Sequence, residues 1–411
     1  MREMKNSGIK WIGTIPSTWK VSRIGNYFQF RSGDTLTSEQ IKDYPEGNYQ
    51  VPVYGANGLR GYYTEGNLEE CHLLIGRVGA LCGNIHINEG LSWVTEHALI
   101  ANPLNIANMI YSRYSFEAAN LGQYSKASAQ PVISSDTLCK QRIPVPPLTE
   151  QQRIADFLDR KCADINNVLE KTKSSIEEYK KLKQSVITEA VTKGIRGEKP
   201  MKDSGSAWFG KIPASWDANK LKYTFTIRKR IVGEDGNTVL AITQKGVKPK
   251  DMSNGNGQFA ESYANYQIVH PGDFAMNHMD LLTGWVDISK YEGVTSPDYR
   301  VFTLDDTTRN CPGYYLYMMQ MCYSNRIFYS MGQGVSGMGR WRLPADMFNN
   351  FIIACPPFEE QQEIAEYLDK KCSEIDSLIA SKEKFITELE SYKKSLIYEY
   401  VTGKKEVPSN A

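Results

Sequence analysis

No run of apolar residues in this 411-residue chain approaches the roughly 20 needed to span a bilayer. The opening stretch MREMKNSGIKW has no apolar core of the kind a secretory leader carries. These absences predict a cytoplasmic chain without membrane attachment. Charge of one sign is also lacking: 48 Lys and Arg face 47 Asp and Glu, a formal net charge of +1, which excludes a polybasic tail but leaves local basic faces open. None of the eight cysteines stands in a CxxC pair, and the adjacent Cys71-His72 has no second half. The thiols therefore read as reduced and mostly buried, and no metal site is expected. There is no GxxxxGK[ST] phosphate loop, no GxSxG elbow and no HExxH among the five histidines.

What is present is written twice. Ser7-Gly8-x-x-Trp11-Ile12-Gly13-x-Ile15-Pro16-x-x-Trp19 returns as Ser204-Gly205-x-x-Trp208-Phe209-Gly210-x-Ile212-Pro213-x-x-Trp216, offset by 197. PVPPLTEQQRIADFLDRKCADI, Pro144 to Ile165, returns as ACPPFEEQQEIAEYLDKKCSEI, Ala354 to Ile375, offset by 210. That second offset holds without a gap to Val191-Thr192 and Val401-Thr402. Between these blocks the halves show little alignable identity. A shared frame with individual inserts suits a scaffold that presents two different readers.

The fixed blocks read as long helices. Thr149 is a plausible N-cap with Glu150 in the first turn, and neither Pro nor Gly follows until Gly194. Leu158, Ile165, Thr172, Tyr179 and Val186 recur every seven residues, as do Leu368, Ile375, Lys382, Leu389 and Leu396, with Leu378, Phe385 and Tyr392 flanking the second set. This is an apolar stripe at coiled-coil period. Each helix needs a partner face, and the economical partner is the other copy, antiparallel, about a pseudo-twofold axis. The interface expected between them comprises Leu158, Ile165, Tyr179 and Val186 on one helix and Leu368, Ile375, Leu389 and Leu396 on the other.

The inserts look strand-rich. Apolar runs at 49–54, 72–75, 84–87 and 299–302 are bounded by Gly, Asn and Pro, and helices are expected at 106–117 and 313–329. Ser296-Pro297-Asp298-Tyr299 falls one residue short of the [DNS]PP[YF] loop of amino-methyltransferases, and reads as a turn leading into a strand. No catalytic residue is assigned. Nucleic-acid character is what the inserts do hold. From Thr307 to Ala345 there is no acid, while Arg326, Arg340 and Arg342 stand among tyrosines and a Gly-rich loop, 332–339. The span Lys220 to Lys250 contains eight Lys and Arg, including Lys229 and Arg230, against two acids. Ala118 to Ser135 is acid-free and carries Lys126 and Gln130; at the 210 offset Gln130 faces Arg340. Arg and Gln make bidentate contacts to guanine and adenine edges, and Lys more often meets phosphate. The DNA-binding candidates are thus Lys126, Gln130, Lys229, Arg230, Arg326, Arg340 and Arg342.

The doubled PxPPxxEQQxIAxxLDxK block, each copy followed by a heptad helix, and the WxGxIPxxW opening of each half resemble the specificity subunit of type I restriction–modification systems. The resemblance covers essentially the whole chain. It implies an α/β (α+β) fold with two target recognition domains, each reading half of a split site in double-stranded DNA, joined by two long antiparallel coiled-coil helices. It implies no catalysis and no cofactor in this chain. It further implies two modification subunits that methylate adenine N6 with S-adenosylmethionine, and the capacity to recruit up to two restriction subunits that use ATP and Mg. The expected division is recognition domain 1–148, helix and connector 149–199, recognition domain 200–358, helix 359–403 and tail 404–411. Two rival classes are a self-contained adenine methyltransferase, which tight S-adenosylmethionine binding would reveal, and a protein-binding scaffold without DNA affinity, against which salt-dependent duplex binding would count.

Overall fold

A computed structural model describes residues 2–126, 130–250, 261–334 and 341–408. Its α-helices are α1 (Met109–Ala118), α2 (Ser135–Lys140), α3 (Leu148–Lys193), α4 (Pro312–Ser324), α5 (Ile327–Ser330), α6 (Ala345–Asn350) and α7 (Phe358–Val401). The two long ones, α3 with 46 residues and α7 with 44, follow the diproline of each repeated block. Proline forbids helix upstream but supplies a free carbonyl. Pro147 O accepts the amides of Glu150 and Gln151, both at 2.9 Å, and Pro357 O accepts that of Gln361 at 3.0 Å. Helix α3 consequently starts at Leu148, so Thr149 lies inside it and does not cap it. Both helices stop at a glycine in the left-handed region, Gly194 (φ +81) and Gly403 (φ +68).

The chain divides into two compact units, Met1–Thr172 with Glu383–Ala411, and Lys173–Lys382. Each unit holds one insert, half of α3 and half of α7. Boundaries drawn along the sequence fall at helix starts. Contacts divide the chain at mid-helix, because a long helix packed along its length has no break at its first residue.

In the first unit the helix halves run antiparallel. The Phe157 and Tyr400 rings lie 4.5 Å apart, and Lys393 Nζ donates to Asn166 Oδ1 at 2.9 Å. Ile154, Leu158, Cys162, Ile165 and Leu169 bury against Leu396, Ile397, Tyr400 and Val401, with Leu389 partly buried beside them. In the second unit, Lys183 Nζ bonds Asp376 at 2.7 and 2.8 Å, and the Lys382 ammonium sits 5.5 Å from the centre of the Tyr179 ring. Ile187, Ala190 and Val191 share a core there with Ile364, Leu368 and Cys372, and Ile375 is buried and Val186 partly so. Each fully buried aliphatic side chain contributes about 1.5–3 kcal/mol of transfer free energy. Leu378, Phe385 and Tyr392, expected to flank the seam, are 46%, 44% and 56% exposed. A two-helix contact covers only a narrow strip of each surface, and this row lies outside it.

The inserts share a topology that their letters conceal. The first has a four-stranded antiparallel sheet in the spatial order Phe28–Ser32, Ala98–Pro103, Leu73–Gly76, Ile85–Ile87. The second repeats it as Phe225–Arg228, Arg300–Leu304, Phe274–Met276, Val286–Ile288. One face packs on short helices: Phe28, Leu73 and Leu99 with Phe116 and Leu138 in the first, and Phe225, Phe274 and Phe302 with Tyr315 and Phe348 in the second. The helix expected over 313–329 is broken, because Arg326 takes a left-handed conformation (φ 57) between α4 and α5. The first expected helix is shifted to start after Asn108, whose side chain accepts the Tyr111 amide at 2.8 Å.

Candidate nucleic-acid interface

Each insert is fastened to the frame by the same set of bonds. Trp19 Nε1 donates to Glu150 Oε2 at 2.9 Å, and Trp216 Nε1 to Glu360 Oε2 at 3.0 Å. The next residue is a buried glutamine. Gln151 donates to Pro146 O at 2.9 Å and accepts the Asn108 amide at 3.0 Å; Gln361 donates to Pro356 O at 2.8 Å and accepts the Cys311 amide at 2.7 Å. Those two amides belong to the N-caps of α1 and α4. A buried tyrosine in each helix bonds two carbonyls. Tyr111 reaches Pro144 O at 3.0 Å and Val401 O at 3.1 Å; Tyr314 reaches Ala354 O at 3.0 Å and Val191 O at 3.3 Å. Burial raises both phenols well above their ordinary pKa, so they stay protonated donors.

In each insert the acid-free stretch ahead of the repeated block is tied down by backbone bonds at its described ends. In the first, the Lys126 amide donates to Val132 O at 3.0 Å, and the Ile133 amide to Arg77 O at 2.9 Å. In the second, Gln333 and Arg342 exchange backbone bonds of 2.8 and 3.0 Å, and the Leu343 amide donates to His278 O at 2.9 Å. Trp341 then folds back on the second loop. Its indole donates to Tyr329 O, its ring lies 5.5 Å from the Tyr329 ring, and a Cβ on Gly332 would come within 2.4 Å of it. Glycine is required at 332 for that approach. Helix α2 or α6 follows each loop, starting at Ser135 or Ala345.

The candidates fall into separate places. Lys126 and Gln130 are exposed on the first loop, and Arg342 is exposed at the base of the second. Arg340 lies outside the described residues. Lys229 is exposed just beyond the strand Phe225–Arg228. Arg230 is engaged inside the fold: its guanidinium makes bonds of 2.8 and 3.1 Å with the buried carboxylate of Asp273. That bidentate pairing gives Arg230 a structural role, holding the segment after the strand to Asp273. Arg326 is exposed but borders a groove lined by Lys183 and Gln184 of α3 and Asp376 of α7. The structure also brings His278 and Arg300 behind the second loop, both buried. Arg300 carried a signal in the sequence, a cation inside an apolar strand run. His278 carried none.

Among the described residues no group of His, Cys, Asp and Glu is arranged to hold a metal ion, all eight cysteines are free thiols, and no helix is long and apolar enough to cross a membrane.

Residues 16–178 and 234–391 match the family described as the type I restriction modification DNA specificity domain, and the chain belongs to that family. Its role is sequence specificity, not catalysis. The specificity subunit of the type I restriction enzyme EcoprrI from Escherichia coli is 35% identical over 151 residues, a match that spans 37% of this chain and 38% of that protein. That of MjaVIII from Methanocaldococcus jannaschii is 23% identical over 419 residues, 96% of this chain and 94% of that protein. A chain solved in work on complex assembly and conformational transition of the type I R-M system shares the fold, with a TM-score of 0.66 at 14% identity, over 95% of this chain and 99% of that one.

Proposed function

We propose that each reader binds one half of a split site in duplex DNA, and that the long helices set the gap between the halves. The observation that carries this reading is the pair of acid-free stretches, 118–135 and 307–345, which stand ahead of the same repeated block on one frame yet differ in sequence. Equal mounting with unequal reading residues is what a bipartite, asymmetric target requires. Lys126, Gln130 and Arg340 are the proposed groove contacts, and Lys229 and Arg342 the proposed phosphate contacts.

In this reading two modification subunits dock on the chain in the cytoplasm and use S-adenosylmethionine to methylate one adenine N6 in each half-site. Restriction subunits, with ATP and Mg, join the same assembly. Adenine N6 in a duplex is reached only by extruding the base, so this chain chooses and holds the DNA while partners perform the chemistry. The test is to map N6-methyladenine in cells that express the chain with its modification partner. A single split motif is expected, and scattered or absent methylation counts against the reading. The purified chain is expected neither to methylate nor to cleave; methyl transfer by the chain alone would overturn its non-catalytic role.

A further inference from the structure

Arg300 and His278 are each only 6% exposed, yet among the described residues Arg300 Nη1 and His278 Nδ1 have no hydrogen-bond partner. They meet at one residue of the second loop's return: Leu343 donates its amide to His278 O at 2.9 Å and accepts Arg300 Nη2 at 3.0 Å. The Arg300 guanidinium lies 4.7 Å from the centre of the Phe348 ring, and it forms no ion pair among the described residues. Burial lowers its pKa to about 10, so it remains a cation at neutral pH. Burial, helped by Arg300 and Arg342, lowers His278 to about 3, so the imidazole is neutral and supplies no compensating charge.

A buried cation without an anion opposes folding, and selection for stability alone removes it. The first insert also carries an arginine at the return of its loop, though a partly buried one. The residue that accepts the Ile133 amide there is Arg77, whose Nη1 donates to the neutral Ser32 hydroxyl at 3.1 Å. Each insert therefore bonds the return of its loop through an arginine, by the backbone carbonyl of Arg77 in the first and the guanidinium of Arg300 in the second.

We propose that Arg300, together with exposed Arg342 one residue from Leu343, forms a seat for a DNA backbone phosphate at the root of the second loop. This rests on the reading of the second insert as a duplex-binding domain. Arg342 meets the phosphate oxygens at the surface. Arg300 supplies charge from a low-dielectric position, where solvent screens it little. A phosphate held there fixes the second insert against the DNA backbone without reading any base.

The experiment uses the full chain and a fixed-sequence duplex, with affinity measured by fluorescence anisotropy from 50 to 300 mM salt and stability by thermal melting. Arg300→Met keeps the length and apolar stem and removes the charge. The expected result is a Tm equal to or above that of the wild type, affinity about tenfold weaker at low salt, and a slope of log K against log salt smaller by about one. Arg300→Lys is expected to restore the slope. A wild-type slope in Arg300→Met overturns the proposal. So does a lowered Tm with affinity loss that Arg300→Lys fails to rescue, which would make Arg300 a prop for Leu343. Stabilisation of the wild type by inorganic phosphate, with no change in the DNA slope of Arg300→Met, assigns the seat to a free anion and equally overturns it. If the wild-type chain shows no salt-dependent duplex binding, the DNA-binding reading itself fails, and the two failures are thereby distinguished.

Discussion

The indole of Trp216 donates to Glu360 Oε2 at 3.0 Å, joining the tryptophan that opens the second half to the glutamate that opens its long helix, 144 positions later. The other Glu360 oxygen accepts Lys199 Nζ at 2.6 Å, and the carboxylate is almost wholly buried. The same bond joins Trp19 to Glu150 in the first half. This is the fastening that lets the inserts diverge while their mounting stays constant.

Trp216→Phe removes the donor and leaves Glu360 Oε2 buried without it. An unmet buried acceptor costs about 1–3 kcal/mol, more when charged. The expected outcome is a lower denaturant midpoint, followed by tryptophan-independent circular dichroism. An unchanged midpoint would show that the bond contributes nothing to mounting the reader.

The glycines that end the long helices pack against the same tryptophans. A Cβ on Gly403 would lie 2.5 Å from Pro16 Cδ and 2.9 Å from the Trp19 ring; one on Gly194 would lie 3.0 Å from Glu360 Oε1 and 3.1 Å from the Trp216 ring. Gly205 also has a positive φ, but nothing lies within 4 Å of its added Cβ. Gly403→Ala is expected to lower Tm clearly more than Gly205→Ala, which bears only the left-handed strain of about 1–2 kcal/mol. Equal losses in the two variants would remove the packing argument.

His278 gives a pH dependence of definite sign. Its folded pKa, about 3, lies below the unfolded value near 6.5, so between these values the unfolded chain binds the extra proton. Stability from this group is complete above pH 6.5 and is lost as pH falls toward 3. At pH 5 the loss amounts to at most about 2 kcal/mol. His278→Gln should therefore show a shallower fall in Tm between pH 7 and pH 5 than the wild type. Parallel curves would mean that the imidazole titrates normally.

Adding one heptad to α3 between residues 172 and 173, and one to α7 between 382 and 383, preserves the apolar period of both helices. Each grows by about 10 Å at 1.5 Å per residue, or roughly three base pairs at 3.4 Å each. Methylated sites mapped with the lengthened variant should show both half-sites unchanged and a wider gap, with weaker binding because the second reader is also turned about the duplex. The original gap at full activity would show that the helices are not the ruler.

Arg340→Ala is expected to relax recognition of one half-site by about 1–3 kcal/mol, the worth of a bidentate base contact. Competition binding against duplexes varied in each half-site reads this directly. Equal weakening for every duplex would make Arg340 a phosphate contact instead.

Local pattern and self-similarity carried a great deal. The heptad stripe, the diproline ahead of each helix and the glycine behind it specify α3 and α7 from residues within a few turns, and the doubled blocks declare a doubled frame. Strands at 51–55, 73–76 and 85–87 follow from short apolar runs in the same way. Partners distant along the chain were decided only by folding. Whether Arg230 faces solvent or Asp273, 43 positions away, depends on which strands pair, and no periodicity encodes that. The common sheet topology of the inserts was likewise invisible, because a sheet constrains where apolar side chains point and not which ones they are. Arg300 shows the limit most clearly. Its strand buries both faces, so alternation could not reveal its direction, and only the tertiary structure discloses a buried guanidinium that forms no ion pair among the described residues.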